Sequence, residues 1–156
     1  RSHIRSSELE ESTVANGVSM GPYAHLRPKS VLGEGVHLGN FVEIKNAVLG
    51  EGTKAGHLAY IGDADLGRHI NVGCGVVFVN YDGKKKHRTK VEDEAFVGSN
   101  ANIVAPVTIG KGAYVAAGST ITKEVPAGAL SIERAKQANL DGWVERKFGN
   151  PKEERS

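Results

Sequence analysis

A chain of 156 residues has room for one domain, and 20 Lys plus Arg against 18 Asp plus Glu leave a formal net charge of only +2, a balance that does not point to nucleic acid. The single cysteine, Cys74, excludes an intramolecular disulfide framework. No apolar run approaches the roughly 20 residues that span a bilayer, and no signal peptide is visible, so a cytoplasmic protein without membrane insertion is expected.

From the N-terminus the strongest pattern is a repeat. An aliphatic residue recurs at Val14, Met20, Leu26, Leu32, Leu38 and Ile44, then at Leu49, Ala55 and Ile61, then at Leu66, Val72 and Phe78. The spacing is six within each group and five across the two breaks. After thirteen residues the beat resumes at Val91, Val97, Ile103, Ile109, Val115 and Ile121. A helix would show spacings of three and four, and a hairpin sheet would show turn pairs between alternating strands. A six-residue period predicts an all-β fold, a left-handed parallel β-helix of hexapeptide repeats, with three hexapeptides to each triangular turn and the aliphatic residues inside. The regular stretch allows roughly six turns at about 4.8 Å each. So narrow a prism buries little apolar surface per residue, and its flat faces favour an oligomer, most simply a homotrimer.

Glycine directly follows the aliphatic residue at ten places, among them Gly21, Gly39, Gly56, Gly73 and Gly98, which takes up half of the 20 glycines. The expectation is that these are corners at which the backbone turns sharply or adopts a positive φ.

Two segments leave the pattern. Residues 82–90 are polar and basic, begin with Asp82-Gly83, and are expected to protrude as a loop. The β-helix domain is expected to occupy 1–126. The remainder, 127–156, reads as a C-terminal segment with a short helix carrying Leu140, Trp143, Val144 and Phe148 on one face, folded back on the column or on a neighbouring subunit. Asn150–Ser156 reads as a frayed polar tail.

A hexapeptide beat specifies a fold and not a reaction, so the chemistry is sought in the least repetitive stretches. These place Arg27, Lys45, His57, Tyr60 and Asn71 on successive turns at positions other than the inward one. Arg27 and Lys45 are 18 residues apart, one full turn, and should stack on one edge. Two stacked cations repel unless they share an anion such as a phosphate. Beside them His57 is a candidate general base, because histidine as a residue type titrates near neutrality, and Glu43 is a candidate to orient it. The six histidines also raise a zinc alternative, but His37 and His57 occupy different repeat positions and His87 lies in the excursion, so no metal site is expected.

At these residues the chain resembles a known family, the C-terminal acetyltransferase domain of the bacterial bifunctional N-acetylglucosamine-1-phosphate uridyltransferase/glucosamine-1-phosphate N-acetyltransferase. The resemblance covers about Gly21 to Trp143 and rests on GPYAHLRP, GNFVEIKN, KAGHLAYIGDA, NVGCG, NYDGKKKHRT, FVGSN, VAPVTIGKGAYVAAGSTIT and SIERAKQ. It implies transfer of the acetyl group of acetyl-CoA to the amine of glucosamine 1-phosphate, giving N-acetylglucosamine 1-phosphate for UDP-N-acetylglucosamine and cell-wall synthesis. By motif, Arg27 and Lys45 would hold the sugar phosphate, Tyr60, Asn71 and Lys86 the rest of the acceptor, and His57 would be the base. For acetyl-CoA the motifs carry over to Cys74, Asn80, Tyr81, Ser99, Ala117 and Arg134, and Cys74 is not expected to be a nucleophile. The resemblance further implies sites between the subunits of a trimer, with Lys86 and Arg134 free to serve a neighbour. The uridyltransferase half, with its glycine-rich nucleotide loop, does not occur in these 156 residues, so neither uridyl transfer nor a magnesium requirement is expected. The competing readings are the same fold acting on another acceptor, such as serine or a nucleotide-linked amino sugar, and a non-catalytic trimeric scaffold.

Overall fold

The computed structural model describes residues 1–149, so the tail at Asn150–Ser156 lies outside the described residues. Each aliphatic residue of the repeat sits in a strand of two to four residues, and all strand pairs are parallel. The chain winds as a left-handed β-helix with three flat faces. The first face has eight strands, from His3–Ile4 to Leu130–Ser131. The second has seven, from Glu8–Leu9 to Thr120–Ile121. The third has six, from Thr13–Val14 to Thr108–Ile109. The column thus has about seven coils where the regular beat allows six. The additional one is built on Ile4 and Leu9, each five residues from the next inward position and each about two fifths exposed.

The inward residues from Leu26 to Ile61 are fully buried. A second buried row lies two residues before each of them, at Val18, Ala24, Ser30, Val36, Val42 and onward, and the aliphatic beat alone did not reveal it. Its members are mostly Ala, Val, Ser and Thr. Most of its polar members find partners: Ser30 Oγ lies 2.6 Å from the Arg27 carbonyl and 3.0 Å from that of Ile44, and Thr53 Oγ1 donates to Gly67 at 2.9 Å, whereas Thr89 Oγ1 has no partner among the described residues. Such bonds remove the cost of a buried hydroxyl.

The glycines after the inward residues serve a different purpose from the one expected. Of the ten, only Gly21 has a left-handed backbone (φ 92°). Most of the others lie under the next coil's main chain, Gly56 and Gly62 excepted: a Cβ on Gly73 would come within 2.6 Å of the backbone nitrogen of Ser99. The left-handed corners fall farther on, three residues past the inward one at Tyr23, Gly35, Phe41 and Leu58, but only two past it at Asn46 and Asp63. Those two tightened corners account for the five-residue spacings within the regular beat, and Ser6 and Glu11 tighten the first coil in the same way.

The excursion is shorter than expected. Thr89 and Lys90 belong to the strand Thr89–Val91, because Thr89 fills the second buried row ahead of Val91. At the C-terminus the column runs past 126, with Leu130–Ser131 pairing on Tyr114–Val115. The helix is confined to Trp143–Phe148 and buries no residue; Trp143 packs edge-on against Phe148 at 5.7 Å, within the segment and not on the column.

Candidate active site

From Val14 onward every break in the repeat occurs at one corner. The second face hands over to the third through Asn46 in one coil, through Asp63 in the next, and through a hairpin spanning Asn80 to Arg88 in the coil above. On the outer surface beside this corner the register places Glu43 opposite His25 and Tyr60 opposite Glu43, and it carries Lys45 one rung above Arg27. Arg27 Nη1 donates to Glu43 Oε1 at 2.9 Å, which holds the guanidinium firmly protonated. The hairpin brings Lys86 back against Lys45. The Lys86 side chain, then the charge of Arg27, pushes the Lys45 ammonium below its ordinary value. Three cations at this density repel one another unless an anion lies among them.

Beneath them lies Asp63, a buried carboxylate. It accepts from Asn46 Nδ2 at 2.5 Å and from Asn80 Nδ2 at 2.6 Å, and the same Asn80 amide lies 3.3 Å from the Tyr60 hydroxyl. The Asn80 side chain is itself buried, and its amide hydrogens are directed into this network.

The hairpin has internal pins. Asp82 Oδ1 accepts from the backbone N–H groups of Lys84 and Lys85, both at 2.7 Å, and its Oδ2 lies 2.6 Å from His87 Nε2. These bonds, the backbone N–H of Lys85 first, pull the Asp82 carboxyl down to about 2. Tyr81, more than half exposed, donates its hydroxyl to the Gly83 carbonyl at 2.8 Å and bridges Lys86 across the hairpin.

Around the previous corner, between the first and second faces, the register stacks His57, Cys74, Ser99 and Ala117 one above another. His57 is exposed, three residues before Tyr60, and the residues above it are small and at least partly open to solvent. At the top Arg134 Nη1 donates to the Ala117 carbonyl at 2.6 Å. The result is a shallow track about three coils tall, at about 4.8 Å per coil, running from a histidine to an arginine.

Residues 88–123 match the family of bacterial transferase hexapeptide repeats. The chain is 62% identical over 145 residues to the bifunctional protein GlmU of Caldicellulosiruptor saccharolyticus, covering 93% of this chain and 31% of that protein. It is 59% identical over 144 residues to GlmU of Alkaliphilus metalliredigens, covering 92% and 32%. It is 54% identical over 153 residues to GlmU of Clostridioides difficile, covering 98% and 33%. This chain belongs to the GlmU family, in its C-terminal part. It spans about a third of the length of those relatives. Among solved structures it resembles PerB of Caulobacter crescentus in complex with CoA and GDP-perosamine, with a TM-score of 0.63 at 26% identity over 77% of this chain and 55% of that one. The acetyltransferase domain of PglB from Neisseria gonorrhoeae in complex with acetyl coenzyme A shares the fold, with a TM-score of 0.66 at 22% identity over 73% and 53%.

Two of the GlmU-type site residues are placed otherwise than the sequence suggested. Glu43, expected to orient His57, gives its Oε1 to Arg27 instead. Asn71 is exposed on the first face, paired in register with Lys54 and Phe96, whereas Arg27, Lys45 and Tyr60 lie on the second. Among the described residues the one group of three close metal-ligand atoms is Glu8, Glu10 and His25 at the foot of the column, which excludes His57. Sequence reasoning missed Asp63, Asp65 and Arg88. The available signal was the pair of five-residue spacings, since slips at the same corner of successive coils mark the place where the GlmU repeat gives way to a site.

Proposed function

We propose that this chain transfers the acetyl group of acetyl-CoA to the amine of glucosamine 1-phosphate, giving N-acetylglucosamine 1-phosphate for UDP-N-acetylglucosamine synthesis in the cytoplasm, and that it does so as a homotrimer. The observation that carries this reading is the Arg27, Lys45 and Lys86 cation cluster at one end of the second face, with a track that leads from His57 to Arg134 at the other end. The cluster suits a sugar phosphate, and it is built within one chain. The small residues Cys74, Ser99 and Ala117 leave space for a pantetheine arm, and Arg134 suits a CoA phosphate. The named relatives are GlmU proteins, and the PerB structure is in complex with CoA and GDP-perosamine.

In the reaction the amine nitrogen attacks the thioester carbonyl carbon, and His57 takes a proton from the nitrogen as the N–C bond forms. The tetrahedral intermediate then breaks its C–S bond, and the departing CoA thiolate receives a proton. Bound phosphate favours the ammonium form of the amine, so a positioned base is needed. Trimer formation is supported by the division of residues between faces: an acceptor reaching both Asn71 and the cation cluster sits between two copies. The exposed apolar edge of Tyr23, Phe41 and Leu58 also suits burial against a neighbour, with Tyr23 and Phe41 stacked at 5.6 Å.

The test is release of free CoA with glucosamine 1-phosphate, glucosamine or serine as acceptor. Phosphate-dependent turnover is expected, and equal rates with unphosphorylated glucosamine overturn the substrate assignment. His57→Ala is expected to lower turnover by about 10²- to 10⁴-fold with CoA binding and oligomeric state unchanged. A variant of full activity removes His57 as the base.

A further inference from the structure

Arg88 stands where the hairpin rejoins the column, two residues after Lys86. Its guanidinium makes four hydrogen bonds: Nε to Asp65 Oδ2 and Nη2 to Asp65 Oδ1, each at 2.6 Å, Nη1 to the Asn46 carbonyl at 2.9 Å, and Nη2 to the Ala64 carbonyl at 3.2 Å. One side chain therefore ties the foot of the hairpin to the two coils below it, at both tightened corners. We propose that Arg88, through Asp65, is a positioning residue that holds Lys86 in the anion site and thereby sets affinity for the phosphate of the acceptor. This rests on the function proposed above.

The physical case has three parts. Lys86 and Lys45 repel each other, so in the absence of an anion the hairpin is driven outward, and a tie on its foot is needed to keep the two ammonium groups close enough to share one. The tip cannot supply that tie, because the Asp82 bonds join only residues of the hairpin, as does the bond from the His87 N–H to the Asn80 carbonyl at 2.8 Å. The hairpin is thus an internally pinned unit whose tilt is set at its foot. Finally, four acceptor atoms, two of them on one carboxylate, are served by the fork of a single guanidinium, which an ammonium with three N–H groups cannot match, so lysine at this position cannot reproduce the clamp.

The experiment uses the full chain, with steady-state kinetics and calorimetric titration of glucosamine 1-phosphate. Arg88→Ala is expected to raise KM and Kd for glucosamine 1-phosphate about tenfold, with KM for acetyl-CoA unchanged and kcat within about twofold. Arg88→Lys recovers only part of the loss. The double variant Lys86→Ala with Arg88→Ala binds no more weakly than Lys86→Ala alone, because without Lys86 the clamp has nothing to position. If Arg88→Ala fails to fold, the exchange Asp65→Arg with Arg88→Asp keeps the pair and is expected to recover phosphate affinity.

An unchanged KM in Arg88→Ala, or losses that add fully in the double variant, overturns the clamp. A wild-type chain that binds glucosamine 1-phosphate without acetylating it overturns the proposed activity, while weaker binding by Arg88→Ala still upholds the clamp. A wild-type chain that binds no glucosamine 1-phosphate overturns both.

Discussion

Arg27 reaches one coil up to Glu43, with Nη1 and Oε1 2.9 Å apart and both side chains more than a third exposed. A pair this exposed adds little to stability, because solvent screens it. Its larger effect is on the ligand, since Glu43 competes for the guanidinium that a phosphate would need. Glu43→Gln keeps an acceptor for Arg27 and removes the competing charge. It is expected to tighten glucosamine 1-phosphate binding by about two- to threefold at low salt, with the gain fading as ionic strength rises. A loss of affinity in a titration would show instead that Glu43 holds Arg27 in place.

Lys45 makes a prediction about protons. Its ammonium is lowered from the ordinary 10.5, chiefly by Lys86 and then by Arg27. An anion between these groups offsets the repulsion and restores the charged form, so phosphate binding takes up a proton over the alkaline range in which free Lys45 has begun to lose its own. Calorimetry in buffers of differing ionisation enthalpy measures that uptake. It is expected to rise toward alkaline pH and to vanish in Lys45→Arg, which stays charged throughout.

Much of the fold could be read before the structure because the inward row repeats chemically: Leu26, Leu32, Leu38 and Ile44 share one environment and one kind of side chain. The second buried row was hidden, since Ala24, Ser30 and Thr53 have in common only their small size, and Ser and Thr look like surface residues until their carbonyl partners are known. Of the site, Arg27 and Lys45 were legible because 18 residues correspond to one turn. Asp63 and Arg88 were not, since their contacts cross between coils at spacings of 17 and 23, set by the tightened corners and the hairpin. Glu43 turns to Arg27 one coil below, and a repeat pattern says nothing about that direction.

Asp82 predicts an acid transition confined to the hairpin. Its carboxyl is lowered from 3.8 to about 2, so the stabilisation it gives is present above about 3.8 and is lost as the pH falls through about 2. The three bonds it accepts loosen in that window. Amide exchange at Lys84 and Lys85 is expected to accelerate between those two values while the amides of the column remain protected. Asp82→Ala, which removes the acceptor, should exchange rapidly at these positions at every pH, and exchange that ignores the substitution would mean that the hairpin is held from elsewhere.

Gly39 and Gly56 occupy equivalent positions, each following an inward residue on the first face, and the register places one directly above the other. Their substitution by alanine nevertheless has different consequences. A Cβ on Gly39 collides with the main-chain carbonyl of Gly56 and lies 3.1 Å from its Cα, so the coils must separate. A Cβ on Gly56 meets nothing within 4 Å, and that backbone is not left-handed. Gly39→Ala is therefore expected to cost about 2–4 kcal/mol, a backbone displacement propagated into the stacked strands. Gly56→Ala is expected to be neutral or to stabilise by about 0.4–1 kcal/mol, because alanine restricts the unfolded chain at no steric cost. Chemical denaturation of the two variants side by side measures the difference. Equal destabilisation would mean that glycine is required here by backbone conformation, and that the close approach of the coil above is not what selects it.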